Sequence, residues 1–339
     1  MKVHFFQPPA PQRVGGLDAA IQGLRAALAS HGVSVDEELP AGDASGDIVH
    51  FHGLWQPAHA RLSRECARRG IPCVISPHGM LEPWAWRHKW WKKWPYFQCV
   101  ERHHLARATA LLATGPREAE RLRRFASGRR IESLPLGLTG GARPAYKAAR
   151  QELGWAAEEI VLLFLSRLHV KKGPDLLLRA LSSSKWPAVT RLVIVGDGDP
   201  GYVQSLKRFA VEHAGSLPRL DWPGAVWGEA RWKYFQGADL FCLPSHSENF
   251  GLAVLEALQV GTPSLVTEET PWSDELRDGR GYIGLPRVDS LREMLARFFA
   301  APRQTPEQRA KLSEWAWQRF AWNRLAPAYV HFYQNLQST

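Results

Sequence analysis

The chain has 339 residues, 45% hydrophobic and 22% charged, enough apolar material to fill two cores and too much for a predominantly disordered polypeptide. Its 43 Lys and Arg against 33 Asp and Glu give a net charge of +10 and a pI near 9.7, which points to anionic partners such as nucleotide phosphates, nucleic acid or an acidic membrane surface. Four cysteines without a CxxC pair, a start that runs straight into a strand and no bilayer-length apolar run argue for a reduced, cytoplasmic protein without a signal peptide.

Strands and helices alternate along the whole chain. Apolar runs predict strands at 2–6, 33–37, 47–51, 72–76, 109–113 and 131–134, with a helix over 17–30 whose Leu17, Ile21, Leu24 and Leu28 recur at helical spacing. The pattern restarts with strands at 160–166, 191–195, 239–243 and 263–266. Two such runs predict an α/β fold of two doubly wound, parallel-sheet domains. Gly137, Gly140, Gly141 and Pro144 cluster in the expected linker. Ligands of such a pair are expected in a cleft between the domains, at the C-terminal ends of strands.

The turn after the first strand carries Gly15 and Gly16 at a helix start, where bare backbone N–H groups suit an oxyanion, although a plain strand-to-helix turn accounts for them equally well. The loop after the 160–166 strand holds Arg167, Lys171 and Lys172, a planar fork and compact point charges able to grip a diphosphate. Residues Gly196, Gly198 and Gly201 match the GxGxxG dinucleotide fingerprint, and Asp197 with Asp199 the DxD pattern of metal-dependent sugar transferases. That turn is not the first of its domain, and a glycine-rich strand-to-helix turn is the commoner reason for both matches. Past the 239–243 strand, Glu248 and Glu256 stand eight positions apart across a helix opening, so both could reach one ligand; a capping acid and a solvated acid is the competing reading.

Taken in order, these segments resemble the retaining glycosyltransferases of GT-B fold, in particular the family 4 group that includes bacterial lipopolysaccharide and exopolysaccharide transferases. The resemblance spans nearly the whole chain: Gly15-Gly16, Ser76-Pro77-His78-Gly79-Met80, Ser166-Arg167-Leu168 through Lys172-Gly173, Val195-Gly196-Asp197-Gly198, Trp222-Pro223-Gly224, the Glu248 to Glu256 segment and Phe320-Ala321-Trp322. It implies an acceptor-binding domain at 1–143, a nucleotide-sugar domain at 144–322 and a helix at 323–339 packed back on the first. By the same resemblance Glu248 binds donor-sugar hydroxyls, Glu256 the ribose, and Arg167 with Lys172 the diphosphate, aided by backbone near Gly15, Gly16, Gly251 and Leu252. His78 faces the donor sugar, Val226 lies in the base-contacting loop, and Asn249 and Phe250 complete the donor turn. No metal or cofactor is implied. The partners implied are a UDP- or GDP-linked sugar and a saccharide or glycolipid acceptor, with an anionic membrane surface as a further candidate and no nucleic acid.

Two departures accompany the resemblance. Thr270-Pro271-Trp272 replaces the usual Gly-Gly-x-x-Glu segment, a variant of a polysaccharide-making subgroup, and Asn249 stands where many relatives have Gly. The run Trp84, Trp86, Lys89, Trp90, Trp91, Lys92, Lys93 and Trp94, placed on one helix, puts the rings within an arc of roughly 160° with cations opposite. Such a helix suits a membrane interface, an aromatic face packed on the first domain, or an acceptor-stacking site. A dinucleotide-dependent oxidoreductase built on Gly196, Gly198 and Gly201, and a silent basic binding protein, are the alternative functions.

Overall fold

A computed structural model of the chain describes residues 1–9, 15–40, 46–87, 90–126 and 128–337. The chain forms two compact units, one of residues 1–139 with 319–339 and one of residues 140–318.

The first unit holds a six-stranded parallel sheet of β1 (Lys2–Phe6), β2 (Ser34–Asp36), β3 (Asp47–His52), β4 (Cys73–Ser76), β5 (Ala110–Ala113) and β6 (Arg130–Ser133), in the order β2-β1-β3-β4-β5-β6. All six expected strands of this half are present. The helix Trp322–Gln337 returns to this sheet, adding Tyr329, Phe332, Tyr333 and Leu336 to a core with Val3, Phe5, Ile48 and Val74. Close approach fixes its entry: a Cβ on Gly23 or Gly137 would lie 2.2 or 2.5 Å from the Trp322 ring.

The second unit holds β7 (Ile160–Leu165), β8 (Thr190–Val195), β9 (Arg219–Gly224), β10 (Leu240–Leu243), β11 (Ser264–Thr267) and β12 (Gly281–Gly284), parallel throughout, in the order β12-β11-β10-β7-β8-β9. Central strands such as Ile160–Leu165 are continuous apolar runs because both faces are covered. The two strands absent from the sequence reading, β9 and β12, are the edges. They are half-exposed, and Pro223 or flanking glycines dilute their apolar signal. The strand order reverses between β7 and β10, the switch point where open α/β sheets bind ligands beyond the strand ends. A buried anchor sets these two strands in register: Asp239 accepts from Val161 N–H at 2.8 Å and pairs with Arg150 at 3.1 Å.

Candidate active site

Both loops at this switch point carry charge. Beyond β7, residues 166–173 bring Lys172 to the carboxylate of Glu248, which follows β10, in a buried ion pair. Ser245 Oγ donates to the same carboxylate oxygen at 2.9 Å, and Glu248 N–H donates to Glu269 O at 3.2 Å. Burial alone would push this carboxyl up, yet the Lys172 and Lys171 charges and the Lys172 and Ser245 hydrogen bonds outweigh it and hold it below the ordinary value. Glu248 is therefore ionised at neutral pH, an acceptor of hydroxyl hydrogen bonds and not a proton donor. Arg167, on the same loop, is exposed and has no hydrogen-bond or ion-pair partner among the described residues.

The turn between Glu248 and the next helix is closed by a glycine. Gly251 has φ +78°, a conformation that glycine adopts without strain, and caps the helix Leu252–Gln259 without a side-chain hydrogen bond. Val254 N–H turns back to Gly251 O at 2.9 Å, so the N–H groups ahead of it, at Leu252 and Ala253, are the ones a ligand could meet. Trp272, from the Thr-Pro-Trp segment, is the prop beneath: it is buried, its Nε1 donates to Gly251 O at 3.2 Å, and its ring meets Phe250 edge-on at 5.4 Å. The sequence marks Trp272 only as a departure, whereas its place is structural support for the turn at Phe250 and Gly251. Glu256, also buried, pairs with Arg231 at 3.1 Å. Sequence reading missed Arg231, because it ends a single 3-10 turn, Gly228–Arg231, that carries no motif, and only the fold brings it to Glu256. Val226 is half-buried in the loop just before it.

The glycines of the GxGxxG match have a different use. A Cβ on Gly196 would lie 1.9 Å from Ser166 O, and one on Gly198 1.9 Å from Leu168 O. Leu168 N–H donates to Asp197 O at 2.8 Å, so the two loops run in contact. The glycines admit the basic loop's own backbone. Both aspartates are occupied locally: Asp197 accepts from Gly198 N–H at 2.7 Å, and Asp199 caps the helix Pro200–Glu212 through Tyr202 N–H at 3.0 Å.

In the first unit, Gly15 and Gly16 open the helix Gly15–Ser30. Trp55 (φ 67°) and His78 (φ 51°) are the two non-glycine residues with positive φ among those described, in adjacent loops after β3 and β4. Such strain persists only where surroundings impose it, and here buried carboxylates do so. Glu101 accepts from Trp55 N–H at 2.6 Å; Glu118 accepts from Gly79 N–H at 2.6 Å and from Thr114. Neither acid stood out in the sequence, since each sits in an ordinary-looking helical stretch. His78 shares a 3.1 Å hydrogen bond with His52 and stacks on it, while His50 bridges Ser76 (2.7 Å) and Tyr333 (2.8 Å). Burial lowers His78 to about 4, so its ring is neutral at physiological pH.

Burial pushes Glu101 up to about 7 against the pull of the Trp55 hydrogen bond. The folded state then holds a proton that the unfolded chain has released, so stability falls as pH rises from about 5 through about 7. Glu101→Gln keeps an acceptor for Trp55 N–H and is expected to remove this slope, gaining on the order of 2 kcal/mol at pH 8. Denaturant unfolding at a series of pH values checks it, and parallel curves for the two proteins would refute the assignment.

The described part of the tryptophan run is helical over Pro83–Arg87 and over Trp90–Tyr96, and continues into a π-helical turn, Phe97–Glu101. Trp86 packs on Phe97 (5.2 Å) and Phe125 (5.8 Å), and Trp84 is half-buried. Trp90, Trp91 and Trp94 stay 57%, 58% and 52% exposed, which overturns a wholly core-packed aromatic face. Lys93 donates to Ala85 O and lies 5.8 Å from the Trp55 ring; Lys92 is exposed, and Lys89 lies outside the described residues.

The family model described as glycosyl transferases group 1 matches residues 146–319, just over half of the chain, and that described as Glycosyltransferase Family 4 matches residues 44–139. The chain belongs to the group 1 glycosyltransferases. D-inositol 3-phosphate glycosyltransferase of Segniliparus rotundus is 34% identical over 171 residues, 47% of this chain, and the chain spans only 37% of that curated relative. Sucrose-phosphate synthase of Thermosynechococcus elongatus superimposes with a TM-score of 0.79 at 18% identity over 99% of both chains. Anabaena HepE, solved in complex with UDP-glucose, gives 0.75 at 18% identity over 99% of this chain and 100% of that one. At these identities the likeness is one of fold, the GT-B architecture of two Rossmann-like domains.

Proposed function

We propose that the chain is a retaining, metal-independent hexosyltransferase that moves a sugar from a UDP- or GDP-linked donor to a saccharide or lipid-linked acceptor in cell-surface polysaccharide or lipopolysaccharide assembly. The observation that carries this reading is the Lys172–Glu248 pair at the β7/β10 switch point, beside an open helix N-terminus. Leaving of a nucleoside diphosphate concentrates negative charge on its phosphates while the sugar becomes cation-like. Lys172, held by Glu248, with Arg167 on the same loop and the Gly251–Leu252 backbone, would stabilise that charge, which supports catalysis without a metal. Glu248, held ionised, would accept hydrogen bonds from sugar hydroxyls and orient the ring. Glu256, paired with Arg231, would hold the ribose. His78, neutral and hydrogen-bonded to His52, would meet a sugar as a neutral hydrogen-bonding group, the role that the resemblance gives it. A front-face course, with the leaving phosphate taking the acceptor proton, needs no dedicated base, and neither glutamate is given that role. Bound UDP-glucose in the structural neighbour HepE favours UDP among donors.

No described helix is long and apolar enough to cross a membrane; we place the enzyme in the cytoplasm, associated peripherally with the inner face of the plasma membrane when its acceptor is lipid-linked. The test is transfer from UDP- or GDP-hexoses in EDTA, with the product anomer read by proton NMR. Retained configuration with full activity in EDTA is expected. An inverted product or abolition by EDTA would overturn the corresponding part.

A further inference from the structure

Among the described residues, large exposed hydrophobic side chains are scattered singly except in the helix Trp90–Tyr96, where three of them fall within five positions. At about 100° per residue, Trp90, Trp94 and Trp91 span an arc of roughly 100°, flanked by Lys93 on one edge and Lys92 on the other. A contiguous aromatic patch of this kind marks a contact surface. It is exposed on a helix, with each ring more than half open to solvent, unlike the lining of a sugar-stacking pocket, which encloses its ligand.

From this arrangement we infer that the Trp90–Tyr96 helix is a bilayer-interface anchor that seats the first unit on an anionic lipid surface. Indole rings prefer the headgroup region, and the exposed Lys92 beside them would meet anionic phosphates. Charge separates this occupant from a second copy of the chain, since each copy carries +10 and would bring like charge to the patch. The anchor is tied to the candidate site. Lys93 reaches from it to Ala85 O and the Trp55 ring, and Trp55 and His78 occupy the adjacent strained loops. A lipid-linked acceptor would thus meet the protein at the surface in which its lipid is embedded. The inference deepens the lipid-linked reading above, yet its test does not depend on catalysis.

The experiment is co-sedimentation of the full chain with vesicles of phosphatidylcholine alone and of phosphatidylcholine mixed with phosphatidylglycerol. Binding is expected to the mixed vesicles, weakening as salt rises, with a blue shift of tryptophan emission. The triple variant Trp90→Ser/Trp91→Ser/Trp94→Ser should bind at least tenfold more weakly and lose the blue shift while keeping the wild-type circular dichroism spectrum and Tm. Lys92→Glu should lose the preference for phosphatidylglycerol. Undiminished binding by the triple variant would overturn the inference, as would no binding by the wild type. Wild-type dimers that the triple variant turns into monomers, without vesicle binding, would assign the patch to a second copy instead. Vesicle binding by a protein that transfers no sugar would leave the anchor standing and remove the enzymatic reading.

Discussion

Lys172→Ala is expected to abolish sugar transfer and to lower stability by about 3–5 kcal/mol, because it strands the ionised Glu248 carboxylate in a buried site. The reciprocal Glu248→Ala leaves Lys172 partly exposed and able to hydrate, so its stability cost should be smaller while transfer is lost just as fully. Lys172→Ala/Glu248→Ala should recover part of the stability of Lys172→Ala and none of its activity. That divergence separates a site pair from a merely structural one. Denaturant unfolding and initial rates on the three variants give the result. Wild-type activity in either single variant would remove the pair from the mechanism.

Gly198→Ala carries the second large expectation. A methyl group at this position would overlap Leu168 O, so the basic loop and the β8 turn must separate. A loss of about 3 kcal/mol follows from backbone overpacking, with donor affinity falling because Arg167 and Lys172 ride on the displaced loop. Gly201→Ala is the control, since the nearest atom there is a side-chain oxygen of Asp199 at 3.2 Å. If these glycines cradled a dinucleotide, both substitutions would instead impair NAD(H) binding with little effect on stability. Thermal melts with and without nucleotides distinguish the two outcomes.

Much of the fold was legible because parallel sheets bury both faces of their central strands, and runs such as Ile160–Leu165 have no polar interruption. The edges β9 and β12 escaped for the opposite reason: half-exposed strands need not be apolar. In the site, Lys172 and Glu248 were legible as charges beside strand ends. Their direct pairing depends on β7 and β10 being neighbours, which strand order decides and spacing does not. Arg231 could not be found from sequence, since it reaches Glu256 from 25 positions away without a motif. Glu101 and Glu118 look like solvent-facing helix residues, and only the strained backbone at Trp55 and beside Gly79 shows what they hold. A helical wheel groups the tryptophans on one arc but does not say which of them are covered: the core aromatics Phe97 and Phe125 take Trp86, while Trp90, Trp91 and Trp94 stay exposed.

The central claim is that the β7/β10 switch point binds a nucleoside diphosphate through its own cations. It is tested most directly by the thermal shift of the wild-type chain and of Arg167→Ala with UDP, GDP, ADP and NAD(H), all in EDTA. A ligand that binds only the native state raises Tm. The account predicts that at least one diphosphate raises Tm in the wild type, that Arg167→Ala loses the shift without a change in its own Tm, and that NAD(H) does nothing. Stabilisation by NAD(H) alone, or a diphosphate shift unchanged in Arg167→Ala, would contradict it.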